Sequence, residues 1–520
     1  MAQRTNSPLA SLSADLPASL VVFLVALPLC LGIALGSGAP LFSGLIAGIA
    51  GGIVIGIVSG SNLSVSGPAA GLTTIVAAAL LKIPTFDAFL LAVVLAGAFQ
   101  LAFGFLKFGI LGDYVPSAVI KAMLAAIGII LILKQLPHLV GYNADYEGDE
   151  TFLQPDGSNT FSGLFDGLNH IVPTAALIGL IALGIQILWE KVLVKKSKIF
   201  KLIPAPLVVV VSAILINQWL IKSGNGSMPP HALVSIPVAS SIGEFSSFFT
   251  HPDFSAITNY QVWLTAATIA IVASLETLLN IEAADELDPY QRVTPTNREL
   301  KAQGAGNLVS GLLGGLPVTS VIVRTSANVN AGAKTKMSTI IHGMLLLLCV
   351  AFIPKTLNLI PLPALAAVLI FTGYKLAKPS IFKELYKKGW DQFIPFVVTI
   401  LAILLTDLLK GIFIGCLVGL FFVLRSNFRS AVFIVNDNHQ YLFRLRKDVS
   451  FLNKPIVKAK LEQVPENATV IIDTTRADFL DRDVVEVIED FLKHAPLKNI
   501  RVELKQSPYN SHGFSKELTA

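Results

Sequence analysis

Two stretches of this chain break otherwise apolar text with Gly and Pro: Ser64-Val65-Ser66-Gly67-Pro68-Ala69-Ala70-Gly71 and Gly314-Gly315-Leu316-Pro317-Val318-Thr319-Ser320. Their prolines are 317 − 68 = 249 residues apart. A second matching pair, Val115-Pro116-Ser117-Ala118-Val119-Ile120-Lys121-Ala122 and Ile360-Pro361-Leu362-Pro363-Ala364-Leu365-Ala366-Ala367, is offset by 361 − 116 = 245, and Gly128 falls on Gly373. Two matches at nearly one offset indicate an internal duplication. For either segment alone, a packing kink is an adequate reading, since Gly and Pro are common in spanning helices. As a pair at repeat spacing, they point to the binding site of a secondary transporter.

Composition sets the solvent. Hydrophobic residues make up 53% of the 520, charged residues 14%, and mean hydropathy is +0.68, which excludes a soluble globular protein of this size. Cys30, Cys349 and Cys416 sit in apolar runs and read as small core residues without a disulfide framework. Only Arg4 precedes the first apolar run as positive charge, and no small-residue cleavage site follows, so that run is read as a spanning helix rather than a signal peptide. The eight histidines read as scattered through loops and tail, with no metal-ligand spacing. Without a paired acid and base, a nucleophile or a metal cluster, an enzyme is not expected.

Candidate spans fall near 16–36, 41–60, 68–83, 86–107, 115–136, 172–189, 204–221, 262–283, 303–316, 320–333, 336–353, 360–377, 392–408 and 410–425. The expected fold is thus an α-helical polytopic membrane protein of about 14 spans, as two seven-helix repeats over about 12–221 and 260–425. Positive charge supports cytoplasmic termini: Lys191, Lys195, Lys196, Lys198, Lys201, Lys334, Lys336, Lys375, Lys378, Lys383, Lys387 and Lys388 share one side. The acidic 138–171 connection, with Asp145, Glu147, Asp149, Glu150, Asp156 and Asp166, takes the other. An odd number of helices per half makes the repeats inverted. Broken helices in such repeats bring two N-termini together near the midplane, where free N–H groups and helix dipoles attract an anion. Ser64, Ser66, Thr319 and Ser320 add hydroxyls there.

Charges inside the hydrocarbon narrow the reading. Glu276 lies within the eighth span, 276 − 28 = 248 residues beyond Pro28 of the first. A carboxylate at that depth marks an ion pathway unless it is locked in an ion pair, for which Arg324 is the candidate partner. Asn280, one turn on, and Thr277 beside it offer oxygen ligands to a small hard cation. Lys121, Asp407 and Lys410 are read as structural, and Glu282, Asp285, Glu286 and Asp288 with Arg292 and Arg298 as a solvated loop. After about residue 428 the text changes. Residues 429–520 alternate between short strands near 431–435, 441–445, 469–473 and 500–504, with a helix near 484–492, as a small cytoplasmic α/β domain.

Taken together, Ser66-Gly67-Pro68-Ala69, Gly315-Leu316-Pro317-Val318-Thr319 followed by Arg324-Thr325, the eighth-span glutamate, and Ile472-Asp473 with Phe479-Leu480-Asp481 resemble the sulfate permease family of anion transporters with a terminal STAS domain. The resemblance covers essentially the whole chain. It implies core and gate domains moving as an elevator, with an anion held between the third and tenth helices, and a homodimer in the plasma (inner) membrane. Family members carry sulfate, bicarbonate, chloride or dicarboxylates. Position by position it implies anion contacts at Leu29, Ile33, Ser66, Ala69, Ala70, Ile322, Val323 and Arg324, and cation coupling at Glu276, Thr277, Asn280, Ser320 and Val321.

Three departures are visible. Leu29 stands where a Gln often follows the proline of the first span, the stretch after Pro317 lacks the small glycines of many members, and Arg482 follows Asp481 where bacterial regulators carry a phosphoacceptor serine. The expected activity is transport of bicarbonate or sulfate coupled to Na⁺ or H⁺, with no organic cofactor and no nucleic-acid partner. The alternatives are an uncoupled channel or exchanger, and a nucleobase transporter, which would want polar and aromatic groups where this pocket is aliphatic.

Overall fold

The computed structural model describes residues 8–143, 152, 159–196, 200, 203–224, 228–239, 241–437 and 439–506. The expectations for Arg4, Lys198, Lys201, Asp145, Glu147, Asp149, Glu150 and Asp156 lie outside these residues. The first seven membrane helices are α1 (Pro8–Gly36), α2 (Leu41–Ala50, continuing through Gly51–Ile55 and Gly56–Val58), α3 (Ala70–Leu80), α4 (Phe86–Phe105), α5 (Ser117–Leu139), α6 (Pro173–Leu188) and α7 (Ala205–Lys222). The second seven are α8 (Tyr260–Leu287), α9 (Thr296–Leu313), α10 (Ile322–Asn330), α11 (Met337–Phe352), α12 (Leu362–Leu376), α13 (Trp390–Leu405) and α14 (Leu408–Ala431).

Among the described residues, eight helices are long and apolar enough to cross a membrane. Four more, α3, α11, α13 and α14, are apolar but short, and α9 and α10 complete the fourteen expected pieces. The half-helices account for two of these six: α3 has 11 residues and α10 has 9, roughly 14–17 Å at 1.5 Å per residue, about half of a 30 Å hydrocarbon core. The sequence reading starts α9 at 303, but the helix begins at Thr296. Its first turns, Asn297-Arg298-Glu299-Leu300-Lys301, do not register as membrane text because they are polar; Glu299 and Leu300 are nevertheless buried in the protein.

The duplication is visible in the packing. α1 packs on α10 and α11, and its counterpart α8 packs on α3 and α4. α5 crosses its own counterpart α12 at Gly128 and Gly373, the pair the sequence offset matches. A Cβ on Gly128 would stand 2.6 Å from the Gly373 carbonyl oxygen, and one on Gly373 would stand 2.5 Å from that of Gly128. Small residues allow such backbone approach, which drives helix association in lipid. The α2 face Gly44, Gly48, Gly52, Gly56 does the same: Gly44 meets the Cys30 carbonyl of α1, and Gly52 meets Gly343 of α11.

The chain divides into two compact units, Met1–Cys416 and Leu417–Ala520. α14 runs through the expected 428/429 boundary to Ala431 before the sheet begins. In the second unit β3 (Val432–Asp437) and β4 (Gln440–Val449) form a hairpin, and β5 (Thr469–Leu480) and β6 (Arg501–Lys505) extend it in parallel, in the order β3-β4-β5-β6; here β1 and β2 denote the two short membrane strands described below. Helices α15 (Lys454–Glu462) and α16 (Arg482–His494) provide the crossovers. The sequence reading missed α15. Phe443, Val457, Leu461, Ile472, Val484 and Ile488 belong to its core. Asp481 caps α16 through the Asp483 amide at 3.0 Å, so it is a capping residue at this turn. Burial would raise the Asp473 pKa, but hydrogen bonds from Thr475 and Arg444 outweigh it and hold the carboxyl below its usual range. The sheet region fits a STAS-like domain.

Gly128→Val forces side-chain atoms into the Gly373 backbone and is expected to destabilise the folded protein by about 2 kcal/mol or more. A fall in the thermal unfolding midpoint of the detergent-solubilised chain checks this, and an unchanged midpoint would contradict the crossing.

Candidate functional site

The two Gly/Pro-broken stretches meet. β1 (Ser66–Pro68) and β2 (Val318–Ser320) pair antiparallel in the register Ser66 with Ser320, Gly67 with Thr319 and Pro68 with Val318. Each strand is followed by one extended residue and then a helix: Ala69 (φ −121°, ψ 144°) precedes α3, and Val321 (φ −121°, ψ 115°) precedes α10. Neither N-cap side chain caps its helix. Ser, Thr, Asp or Asn would normally accept from a first-turn N–H here; Ala and Val cannot. Two helix N-termini therefore begin at one crossing without side-chain acceptors, the arrangement that favours an anion.

Buried polar side chains brace this crossing. Asn307 Nδ2 donates to Val318 O at 2.9 Å and to Gln100 Oε1 at 2.7 Å, and Val318 N donates to Asn307 Oδ1 at 2.6 Å. Gln303 Nε2 donates to Ser66 Oγ at 2.8 Å and to Glu299 Oε1 at 2.9 Å, while Ser59 Oγ donates to Glu299 Oε2. Val321 N donates to Val65 O at 2.9 Å, and Val65 N to Thr325 Oγ1 at 3.0 Å. The sequence reading missed Glu299, Gln303 and Asn307. Their four-residue spacing, one polar face of α9, was the available signal.

The expected anion contacts divide. Leu29, Ala69, Ile322 and Val323 belong to one apolar cluster that also holds Val321 from the cation-coupling set, Val119 and Met123 of α5 and Ala367 of α12. Ala70 is half-buried at the start of α3. Ile33 follows Leu29 by one turn on the same face of α1, and it packs in the neighbouring cluster with Ala34, Ile55 and Val76. The Ser66 hydroxyl accepts from Gln303, which leaves its own O–H as a donor. Ser64 and Ser320 join hydroxyl to hydroxyl at 2.7 Å, and Thr319 Oγ1 donates to Ser320 O at 2.9 Å.

Arg324 is fully buried. Its Nη2 donates to Cys30 Sγ at 3.3 Å and to Pro68 O at 3.5 Å, rather than to the Glu276 carboxylate, so the expected locking pair is not formed. A Cβ on Gly67 would stand 1.9 Å from Arg324 Nη1; only glycine gives the guanidinium its place behind β1. It is a fixed positive charge beside the crossing. His342 of α11 is also fully buried, and neither ring nitrogen has a hydrogen-bond partner among the described residues. The histidines are expected mainly in loops and tail, and His342 is an exception within a helix.

The cation-coupling residues fall in two places. Asn280 Nδ2 donates to Ser320 O at 2.5 Å, and Ser320 N donates to Thr277 Oγ1 at 3.3 Å. Asn280 Oδ1 remains a buried acceptor without a hydrogen-bond partner among the described residues. Glu276 is 5% exposed, and its carboxylate lies against Gly71 in the first turn of α3, 3.0 Å from where a Cβ would stand. Among the described residues no group of three His, Cys, Asp or Glu side chains could hold a metal ion; the oxygens around Asn280 are the hard, largely neutral kind that suit an alkali cation.

Other charges are more ordered than expected. Lys121 pairs with Glu286 at 3.2 Å and Glu384 at 3.3 Å. Asp285 accepts from Thr294 N and Oγ1, both at 2.6 Å, and Asp288 pairs with Arg292 at 2.6 Å. These acids end α8 and hold the turn after it, which corrects the solvated-loop reading.

Inverted repeats crossing at two short strands define a membrane transporter fold, and comparisons with known proteins agree. A model described as the sulfate permease family matches residues 12–400, and the chain belongs to that family. It is 27% identical over 392 residues to YvdB of Bacillus subtilis, named as a sulfate transporter, covering 75% of this chain and 69% of that protein. It is 28% identical over 334 residues to the bicarbonate transporter BicA of Picosynechococcus, covering 63% of this chain and 54% of that protein. In structure it is similar to SLC26A9, with TM-score 0.65 and 17% identity over 96% of this chain and 85% of that one. It is also similar to the transmembrane domain of a cyanobacterial BicA, with TM-score 0.54 and 23% identity over 81% and 98%. The relatives are transporters, not enzymes.

Gly71→Ala presses a methyl group against the Glu276 carboxylate, which must yield by a few tenths of an ångström. The expected outcome is at least a fivefold loss of gradient-driven anion uptake with a change in stability within about 1 kcal/mol; wild-type uptake would contradict this placement.

Proposed function

We propose that the protein is a secondary active transporter of a small inorganic anion, bicarbonate or sulfate, coupled to inward Na⁺ or H⁺ and working by elevator-type alternating access. One observation carries the reading: two half-helices start at a shared strand crossing from Ala69 and Val321, neither of which can cap its helix. Their dipole ends supply about one positive charge between them and Arg324 supplies another. Neighbouring Leu29, Ala69, Ile322 and Val323 are aliphatic, which suits a small symmetric anion and offers no stacking surface to a nucleobase.

Glu276 opposes that positive field when ionised, so a cation or proton bound there restores it and favours anion binding. This is the coupling the reading assigns to Glu276, with Thr277, Asn280 and the Ser320-Val321 backbone as further oxygen ligands. The names of relatives support both sulfate and bicarbonate as substrates. Lysines 191, 195, 196, 375, 378, 383, 387 and 388 support cytoplasmic termini in a plasma membrane; homodimerisation rests on the family resemblance.

Uptake into proteoliposomes tests the site. Val321→Thr, nearly isosteric, adds an oxygen that caps α10 and competes with the anion. Its expected effect is a several-fold rise in the half-saturating anion concentration with unchanged or slightly raised stability. Glu276→Gln is expected to leave downhill exchange but abolish accumulation driven by the cation gradient. Unaltered affinity in the first variant would remove the α10 N-terminus from the site, and undiminished accumulation in the second would remove Glu276 from coupling.

A further inference from the structure

Helix α13 starts at Trp390, an interfacial residue type, after a basic segment ending in Lys387 and Lys388, and has 16 residues. That is about 24 Å, short of a hydrocarbon core of about 30 Å. The turn joining it to α14 carries an ion pair, and Thr406 O in that turn accepts from Phe152 N of the connection between α5 and α6 at 3.4 Å. Asp407 meets Lys410 at 2.8 Å, with the aspartate side chain 36% exposed and the lysine 73%. An exposed charged pair of this kind stands against water rather than hydrocarbon.

A cavity of about 650 Å³, largely apolar with Ile75, Val272, Leu405 and Leu408 in its lining, leads from this turn to Glu276. One wall is this turn, with Thr406, Asp407 and Lys410; the other is Gly71 and Thr74 of α3 and Glu276 of α8. Its ionisable lining is two carboxylates and one ammonium, a net negative surface ending at Glu276. We infer that this cavity is the aqueous route by which the coupling cation reaches Glu276, and that Asp407, restrained by Lys410, gives the route its preference for cations. Asp407 is the outer station, and Lys410 competes with the incoming cation for it. The inference rests on the coupling role proposed for Glu276 and adds a residue on the gate side to which that reading assigns no part.

Thiol accessibility tests the route without relying on transport. Thr74→Cys, in a chain with Cys349→Ser and Cys416→Ser, places a reporter on the cavity wall; Cys30 is fully buried. The protein is held in lipid nanodiscs, which expose both faces and shield lipid-facing positions. Reaction rates are measured with cationic, anionic and neutral methanethiosulfonates of similar size, each normalised to a free thiol. The cationic reagent is expected to react several-fold faster than the anionic one. Asp407→Asn should lower that ratio about fivefold and Lys410→Met should raise it about fivefold, as expected for one unit charge nearby in partly screened surroundings. The neutral reagent should be unaffected, which separates a change of field from a change of fold. A ratio insensitive to both substitutions, or a reporter inert to all three reagents, would overturn the route. Retained accumulation by Glu276→Gln would instead overturn the coupling role while leaving these rates standing.

Discussion

The three-residue pairing of β1 with β2 is the contact on which the rest of the membrane unit depends. It is short because each strand must end where a half-helix begins, and it is antiparallel because the repeats enter from opposite sides. A strand pair of this length has little stability of its own. Its strength comes from the buried amides of Asn307 and Gln303, which reach Val318 and Ser66 from α9. It also depends on glycines at close approach: a Cβ on Gly51 would stand 2.3 Å from the Ser66 carbonyl oxygen. Breaking one amide contact would leave a buried donor or acceptor unpaired, at a cost of about 1–3 kcal/mol.

Because the crossing is rigid, the charges around it have fixed relations. Arg324 stands behind β1 in the space Gly67 leaves, and Glu276 stands beside the first turn of α3 in the space Gly71 leaves. The two opposite charges approach one crossing from α10 and α8 without neutralising each other in a direct pair. That separation is the feature on which the proposed coupling of anion and cation rests.

Much of the architecture was legible in the sequence because hydrophobic text and broken segments record it directly. The offset that matches Gly128 to Gly373 predicts a symmetric pair, and the fold puts the two backbones in contact. Orientation of side chains was less legible. The direction of Arg324 depends on Gly48, Gly67 and Cys30, which are remote in sequence. The polar face of α9 was readable at four-residue spacing but was hidden by a hydropathy window that assumes lipid around every span. Asp407 and Lys410 read as structural because nothing in the sequence shows that their turn borders a cavity reaching Glu276.

The central claim is that the crossing binds an anion whose entry is tied to a cation at Glu276. The most direct measurement is uptake of labelled bicarbonate and labelled sulfate into proteoliposomes under an inward Na⁺ gradient, an inward H⁺ gradient and neither. The account predicts accumulation of one of the anions above its equilibrium level under one of the gradients and not without it. Equilibration of either anion at the same rate and to the same level under all three conditions would contradict coupling, and no flux of either would contradict the anion site itself.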